Sequence, residues 1–296
     1  MIFSIAQDSR IGGRSVNQDR AAWYATSDAV LMIVADGMGG HLQGEVAAQI
    51  AVDTVTNYFR RVAKPRLLDS RRFLKAALNL AHESIVRYAD ECKIPAHVAP
   101  RTTCIACVVQ NGMAHWAHAG DSRLYLIHGK GSTASTEAVH TRDHSMVQRL
   151  LDEGRLSPAE IATHPLRHHV FSCLGGDQPP QVDVADPVAL ADGDVIALCT
   201  DGLWAVVDEQ LPRRLRWAPL DTTVPQLLDS AAAAAGESAD NLTLIAMRWQ
   251  APDPDAITVC ESLAPSSGRV SADDLPISDD EIDQAVLEIQ RRLSPN

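Results

Sequence analysis

The chain has 296 residues, 46% of them hydrophobic and 22% charged, and its 26 lysines and arginines against 38 aspartates and glutamates leave a net charge of −12. That much apolar chain forms one large packed domain or two small ones and excludes disorder for its bulk. The acidic balance offers no electrostatic footprint to nucleic acid or to an anionic membrane, so any phosphorylated substrate has to be met locally, by placed arginines or bound cations.

The N-terminal MIFSIAQDSRIGG reaches a charge within eight residues, which fits no secretory core. The longest apolar run, Ala29 to Ala35, has seven residues against the ~20 of a membrane helix. A cytoplasmic protein is expected. Val30 to Ala35 is a short, β-branched-rich run stopping at Asp36-Gly37-Met38-Gly39-Gly40, the pattern of a buried strand ending in a tight loop. Val46, Ile50, Val55, Phe59 and Val62, then Leu74, Ala77, Leu78, Ala81, Ile85 and Tyr88, recur at helical spacing and predict two long amphipathic helices separated by Lys64-Pro65.

From Arg101 the runs shorten, and breaks at Asn111-Gly112, Gly120-Asp121 and Gly129 predict a meander of hairpins. A helix is predicted over His144 to Gly154, and Asp194 to Trp204 reads as a buried strand delivering an aspartate to a glycine turn. Leu227 to Ala235 reads as helical and Leu242 to Trp249 as a last strand, introduced by Asp240-Asn241. The six cysteines, Cys92, Cys104, Cys107, Cys173, Cys199 and Cys260, form no framework and read as free thiols in a reducing compartment. Cys104 and Cys107 sit on one predicted strand, where positions three apart face opposite sides, which argues against a zinc or redox pair.

After Trp249 the composition shifts to proline, serine and aspartate, so residues 250–278 read as a linker. Beyond it, Ser278 and Glu281 fit a capping box, and Ile282, Val286, Ile289 and Leu293 share a face, predicting an amphipathic helix over 279–293. Such a helix docks on its own domain or frays, or else recruits a partner or shields a cleft with its acidic turn.

Four features place a carboxylate at a strand end or beside a glycine turn: Asp36-Gly37, Asp121, Asp201-Gly202 and Asp240. Each alone is an ordinary turn aspartate. Together, at the ends of core strands, they can converge on one sheet edge, where they need cations, and oxygen ligands without clustered cysteine or histidine favour Mg²⁺ or Mn²⁺ over zinc.

With Arg14-Ser15-Val16-Asn17-Gln18-Asp19, the motifs V-A-D-G-M-G-G-H, A-G-D-S-R, D-H-S, T-D-G-L-W and D-N-L-T follow in order, and over residues 8–249 the chain resembles the metal-dependent protein phosphatases of the 2C type (the PPM family) in their bacterial form. The resemblance implies an α+β fold, an αββα sandwich of two antiparallel sheets flanked by helix pairs, in a catalytic domain spanning 1–249. It implies a serine/threonine protein phosphatase acting through a metal-activated bridging water, with Mn²⁺ or Mg²⁺ as two or three bound ions. Asp36 would bridge two metals and the Gly37 carbonyl would ligate one, Asp201 and Asp240 would hold the other, and Asp19 would act through a bound water. Arg14 would grip the substrate phosphate with a planar charged fork. Asp121 resembles the residue binding a third, weaker metal, or is a turn aspartate between hairpin strands.

Two residues depart from the pattern. Gln18 stands where many relatives carry Glu, and its amide can still bond a metal-bound water. Met38 stands where eukaryotic relatives place a histidine, leaving protonation of the leaving group to metal-bound water or to His41, a residue that also reads as structural. Ser145 to Gly176 occupies the position of the family's flap, and His164, His168 and His169 are expected on its surface, not as metal ligands. The expected partners are phosphorylated Ser/Thr proteins, including a cognate kinase or its substrates, with no nucleic acid and no membrane, for a monomeric enzyme. The alternative of another class is a pseudophosphatase acting as a phosphoprotein-binding module, disfavoured because the acidic ligands and Arg14 are all present.

Overall fold

The computed structural model describes residues 1–38, 43–129 and 138–251. Strands β1 (Ile2–Arg10), β2 (Asp19–Ala25) and β3 (Ala29–Asp36) lead into helices α1 (Gly44–Val62) and α2 (Ser70–Glu91). There follow β4 (Arg101–Thr102), β5 (Cys104–Gln110), β6 (Met113–Ala119), β7 (Arg123–Ile127), β8 (Val139–His140), α3 (Met146–Asp152), β9 (Leu174–Gly175), β10 (Asp183–Val184) and β11 (Val188–Ala189). The last elements are β12 (Val195–Cys199), α4 (Asp201–Val207), α5 (Gln210–Leu215), α6 (Leu220–Ala235) and β13 (Leu242–Gln250).

Two antiparallel sheets form, one in the order β1-β13-β12-β7-β8 and one in the order β10-β6-β5-β3-β2, with β11 also pairing β6 and a separate β4-β9 ladder. Val30, Met32 and Val34 of β3 and Ile105, Cys107 and Val109 of β5 pack against Leu124, Leu126, Ile196, Leu198, Ile245 and Met247 of the other sheet. Alternation along a strand turns Leu31 and Ile33 to the opposite face, which α1 covers, so β3 is buried on both faces and reads as a continuous apolar run. On the other sheet Val195, Ala197 and Cys199 join Leu203, Leu211, Leu215, Leu227 and Leu228 of α4 to α6 in a second core. This is the αββα sandwich that the resemblance implies, with three helices rather than a pair on the second side among the described residues.

The helices predicted from spacing form as α1 and α2, the latter capped by Asp69, whose side chain accepts from the Arg72 N–H at 3.0 Å. Three expectations need correction. β1 and β2 were not foreseen, because their half-buried faces give no sustained apolar run. Gly120-Asp121 is not a hairpin turn: β6 and β7 belong to different sheets, and the chain crosses between them there. The 144–154 helix is shorter, and α6 starts at Leu220 and carries Pro225 inside. Cys104 and Cys107 are buried free thiols on β5, the first pushed up to about 12 by burial and the second higher, which leaves both inert. Met1–Ala251 is one compact unit; Gln250, expected to open the linker, closes β13, and the expected linker beyond Ala251 and the C-terminal helix, like Cys260, lie outside the described residues. Among the described residues no helix is long and apolar enough to cross a membrane.

Candidate metal centre

Pairing register brings the aspartates to one end of the sandwich. Asp19 opens β2 directly opposite Asp36, which closes β3, so the ladder itself sets these two carboxylates side by side. Cys199 at the end of β12 pairs with both Arg123 at the start of β7 and Leu244 near the start of β13. The residues just beyond those strand ends, Asp201, Asp121 and Asp240, therefore emerge at the same end. Asp201 is not in a free turn as the sequence suggested: it is the first residue of α4.

Close backbone approach fixes this end. A Cβ on Gly37 would lie 2.3 Å from the Gly44 carbonyl oxygen, and one on Gly202 would lie 2.2 Å from that of Asn241, so any side chain at either position would push α1 or α4 away from the strand ends. Asn241 accepts from the Gln18 N–H at 2.8 Å and donates to the carbonyls of Ile11 and Val16 at 2.8 and 3.1 Å. It thereby shapes the loop that carries Arg14, whose Nη2 lies 2.8 Å from Oδ2 of Asp240. Thr102 donates to the Asp36 carbonyl at 2.8 Å, and the Thr103 hydroxyl accepts from the Asp36 N–H at 3.2 Å and pairs with Ser122 at 2.8 Å. Thr200 donates its hydroxyl to Oδ2 of Asp19 at 2.9 Å, and the Trp204 indole donates to the Asp121 carbonyl at 2.9 Å.

The carboxyls repel one another in a poorly hydrated setting. Burial, reinforced by Asp201 and Asp240, pushes Asp19 up to about 7. Asp36 is driven well above the carboxylate range by burial and then by Asp19, Asp201 and Asp121, and it shares a hydrogen bond with Asp201. Asp121 is raised well above that range by burial and Asp201, and Asp201 is raised by burial and Asp240. Asp36 and Asp201 keep some surface at the opening although protein surrounds them densely. Oδ1 of Asp19 is buried and has no hydrogen-bond partner. A cluster of oxygen donors with one donor atom left over fits divalent cations, which would stabilise the charged forms that burial disfavours.

Several supporting residues went unread in the sequence. Arg123, the last residue of A-G-D-S-R, makes a bidentate pair with Asp143 at 2.9 and 2.9 Å, reaches Asp208 at 3.0 Å and stacks 3.7 Å from the Trp204 ring, so it braces both Asp121 and α4. Gln18 donates to Glu45 at 3.3 Å, which places a carboxylate of α1 beside the amide. The threonine next to Asp201 in T-D-G-L-W was the available signal for Thr200. Met38 donates its N–H to the Arg101 carbonyl at 3.0 Å, while His41 lies outside the described residues. In the flap, His168 and His169 are exposed, His164 accepts from the Leu166 N–H at 3.1 Å, and His168 lies within electrostatic range of Asp201.

A model described as protein phosphatase 2C matches residues 6–238. Serine/threonine phosphatase stp of Listeria monocytogenes is 30% identical over 198 residues, 66% of this chain and 75% of that one. The serine/threonine phosphatase PstP/Ppp of Mycobacterium tuberculosis superposes with a TM-score of 0.72 at 28% identity, covering 85% of this chain and 100% of that one. A PstP catalytic domain in complex with two manganese ions gives a TM-score of 0.66 at 28% identity, covering 83% and 97%. The chain belongs to the protein phosphatase 2C family. These relatives are serine/threonine protein phosphatases, and none of them supports the pseudophosphatase alternative.

Proposed function

We propose that the chain hydrolyses phosphoserine and phosphothreonine in proteins with Mn²⁺ or Mg²⁺ held by Asp36, Asp201, Asp240 and the Gly37 carbonyl, with Asp19 acting through water and Asp121 joining a third, weaker ion. The observation that carries this reading is the buried cluster itself: Asp19, Asp36, Asp121 and Asp201 all have raised pKa values from burial and mutual repulsion, and Oδ1 of Asp19 is unpartnered. When bound, the ions supply Lewis acidity that activates water and clamps a phosphate oxygen.

The chain's own residues do the rest. Arg14, half exposed, has its guanidinium on Asp240 at 2.8 Å, which holds it beside the carboxylate cluster, where its fork can take a phosphate dianion bidentately. Thr200 holds the orientation of Asp19, and Thr102 and Thr103 hold the backbone of Asp36. Asp201, as the first residue of α4, is fixed by the helix start and by Gly202 behind it. We place the enzyme in the cytoplasm as a monomer, acting on phosphoproteins that include a cognate kinase or its substrates. Incubating it with a phosphothreonine peptide, with and without Mn²⁺, tests the reading. Phosphate release should require the added ion, and full turnover in excess chelator would overturn the metal assignment.

A further inference from the structure

We propose that His144 is a positioning residue that locks the loop carrying Asp121 to the start of the flap and to its returning segment 169–171. Its main-chain N–H donates to the Gly120 carbonyl at 2.9 Å, and its ring Nδ1 accepts from the Gly120 N–H at 3.3 Å, so one residue holds both peptide units of Gly120, immediately before Asp121. The His144 carbonyl accepts from the Phe171 N–H at 2.8 Å, Met146 donates to the His169 carbonyl at 2.8 Å, and Ser145 bridges Val170, so the start of the flap and its returning segment 169–171 meet at this residue. The ring is sandwiched between His118, with centroids 4.5 Å apart, and Phe171 at 5.5 Å. His144 is 3% exposed, and its Nε2 lies 3.1 Å from Oδ2 of Asp183.

His118, His144 and Asp183 place ligand atoms within 4.8 Å of one another, a spacing that a metal ion could bridge. The ring geometry argues otherwise. Imidazole lone pairs lie in the ring plane, and rings stacked 27° from parallel do not aim both at one ion. Moreover, Nδ1 of His144 accepts a hydrogen bond, so its proton sits on Nε2, facing Asp183; a metal on Nε2 would move that proton to Nδ1, against the Gly120 N–H. His118 donates from Nε2 to the Arg142 carbonyl at 2.9 Å, which fixes the stacking partner. The trio is a stacked wedge whose rings are hydrogen-bonded outward, His144 to Gly120 and His118 to Arg142, with Asp183 close to Nε2 of His144. With the Trp204 indole on the Asp121 carbonyl and Thr103 on Ser122, it completes a three-sided mount for Asp121.

The catalytic consequence rests on the function proposed above, whereas the mount itself does not, and the test separates the two. In His144→Asn the amide oxygen falls where Nδ1 stands and preserves the acceptor for Gly120. In His144→Gln the amide reaches the Nε2 position and leaves Gly120 without an acceptor. Exchange of the Gly120 amide and of residues 169–171 is read by NMR on the metal-free full chain, and kcat and KM are measured on an aryl phosphate with Mn²⁺. The Gln variant should speed exchange at both places by about tenfold, the worth of one hydrogen bond, and lower kcat by about as much with KM nearly unchanged. The Asn variant should stay within about threefold of the parent on both. Equal losses in the two variants, or parental exchange in the Gln variant, would overturn the proposal. An inactive parent would count against the proposed function, with the exchange measurement still deciding the mount.

Discussion

Asp36 shows how a single side chain can be costly to the fold while the proposed function requires it. Burial, then the neighbouring Asp19, Asp201 and Asp121, push its pKa well above the usual carboxylate range, so an uncharged side chain there would relieve repulsion while removing a proposed ligand. Asp36→Asn and Asp201→Asn should each lower kcat by about 10³-fold or more, as expected for several kcal/mol of lost transition-state stabilisation, with the metal-free thermal midpoint no lower than the parent's. Steady-state kinetics and calorimetry check both halves, and near-parental kcat in either variant would remove it from the site. For Arg14, already seated on Asp240, Arg14→Ala should chiefly raise KM, and Arg14→Lys should recover only part of kcat/KM because a point charge does not replace the fork. An unchanged alanine variant would make Arg14 a surface residue.

At the scale of elements, the active end depends on joints between strands and helices more than on the helices themselves. Arg123 on β7 is tied to Asp143 ahead of α3 and to Asp208 after α4, with its guanidinium over Trp204. Arg123→Met keeps the bulk but leaves Asp143 buried and unpaired, so unfolding free energy should fall by about 3–5 kcal/mol, well beyond a surface ion pair. Urea denaturation reads this directly, and a loss under about 1 kcal/mol would show the network to be incidental.

For the whole molecule, the carboxylate cluster sets the pH dependence. In the metal-free fold Asp19 is held up to about 7, against roughly 4 in an unfolded chain, and Asp36, Asp121 and Asp201 shift the same way. Between those values the folded state binds more protons than the unfolded one, so the stability these groups contribute is present below about pH 4 and is lost as pH rises through 7. With Mn²⁺ bound the deprotonated forms are preferred, the folded state no longer binds extra protons, and this loss should vanish, leaving the contribution flat above about pH 5. Over pH 5–8 the contribution of these groups to the thermal midpoint should therefore fall with pH without Mn²⁺ and stay flat with it, and parallel slopes would refute cation binding at these residues. The compact unit ends at Ala251, whose N–H donates to Asp192 at 2.9 Å, so a chain cut after Ala251 should keep metal-dependent hydrolysis of an aryl phosphate within a few-fold of the parent. An insoluble or inactive product would move the domain boundary.

The helices α1 and α2, the buried strands β3, β5, β12 and β13, and the aspartates at their ends were legible because hydrophobic period and strand-terminal glycines are local signals. The family followed from the order of its motifs, which no single turn aspartate could have supplied. Only the tertiary structure decided that β6 and β7 lie in different sheets, which makes Asp121 a crossover residue, and that Asp201 opens a helix. It alone revealed Thr200 on Asp19, Arg123 beneath Trp204 and His144 clasping Gly120. Those contacts join residues far apart in the chain, and pairing across such distances depends on sheet register and on which faces are buried, information that no short window of sequence contains.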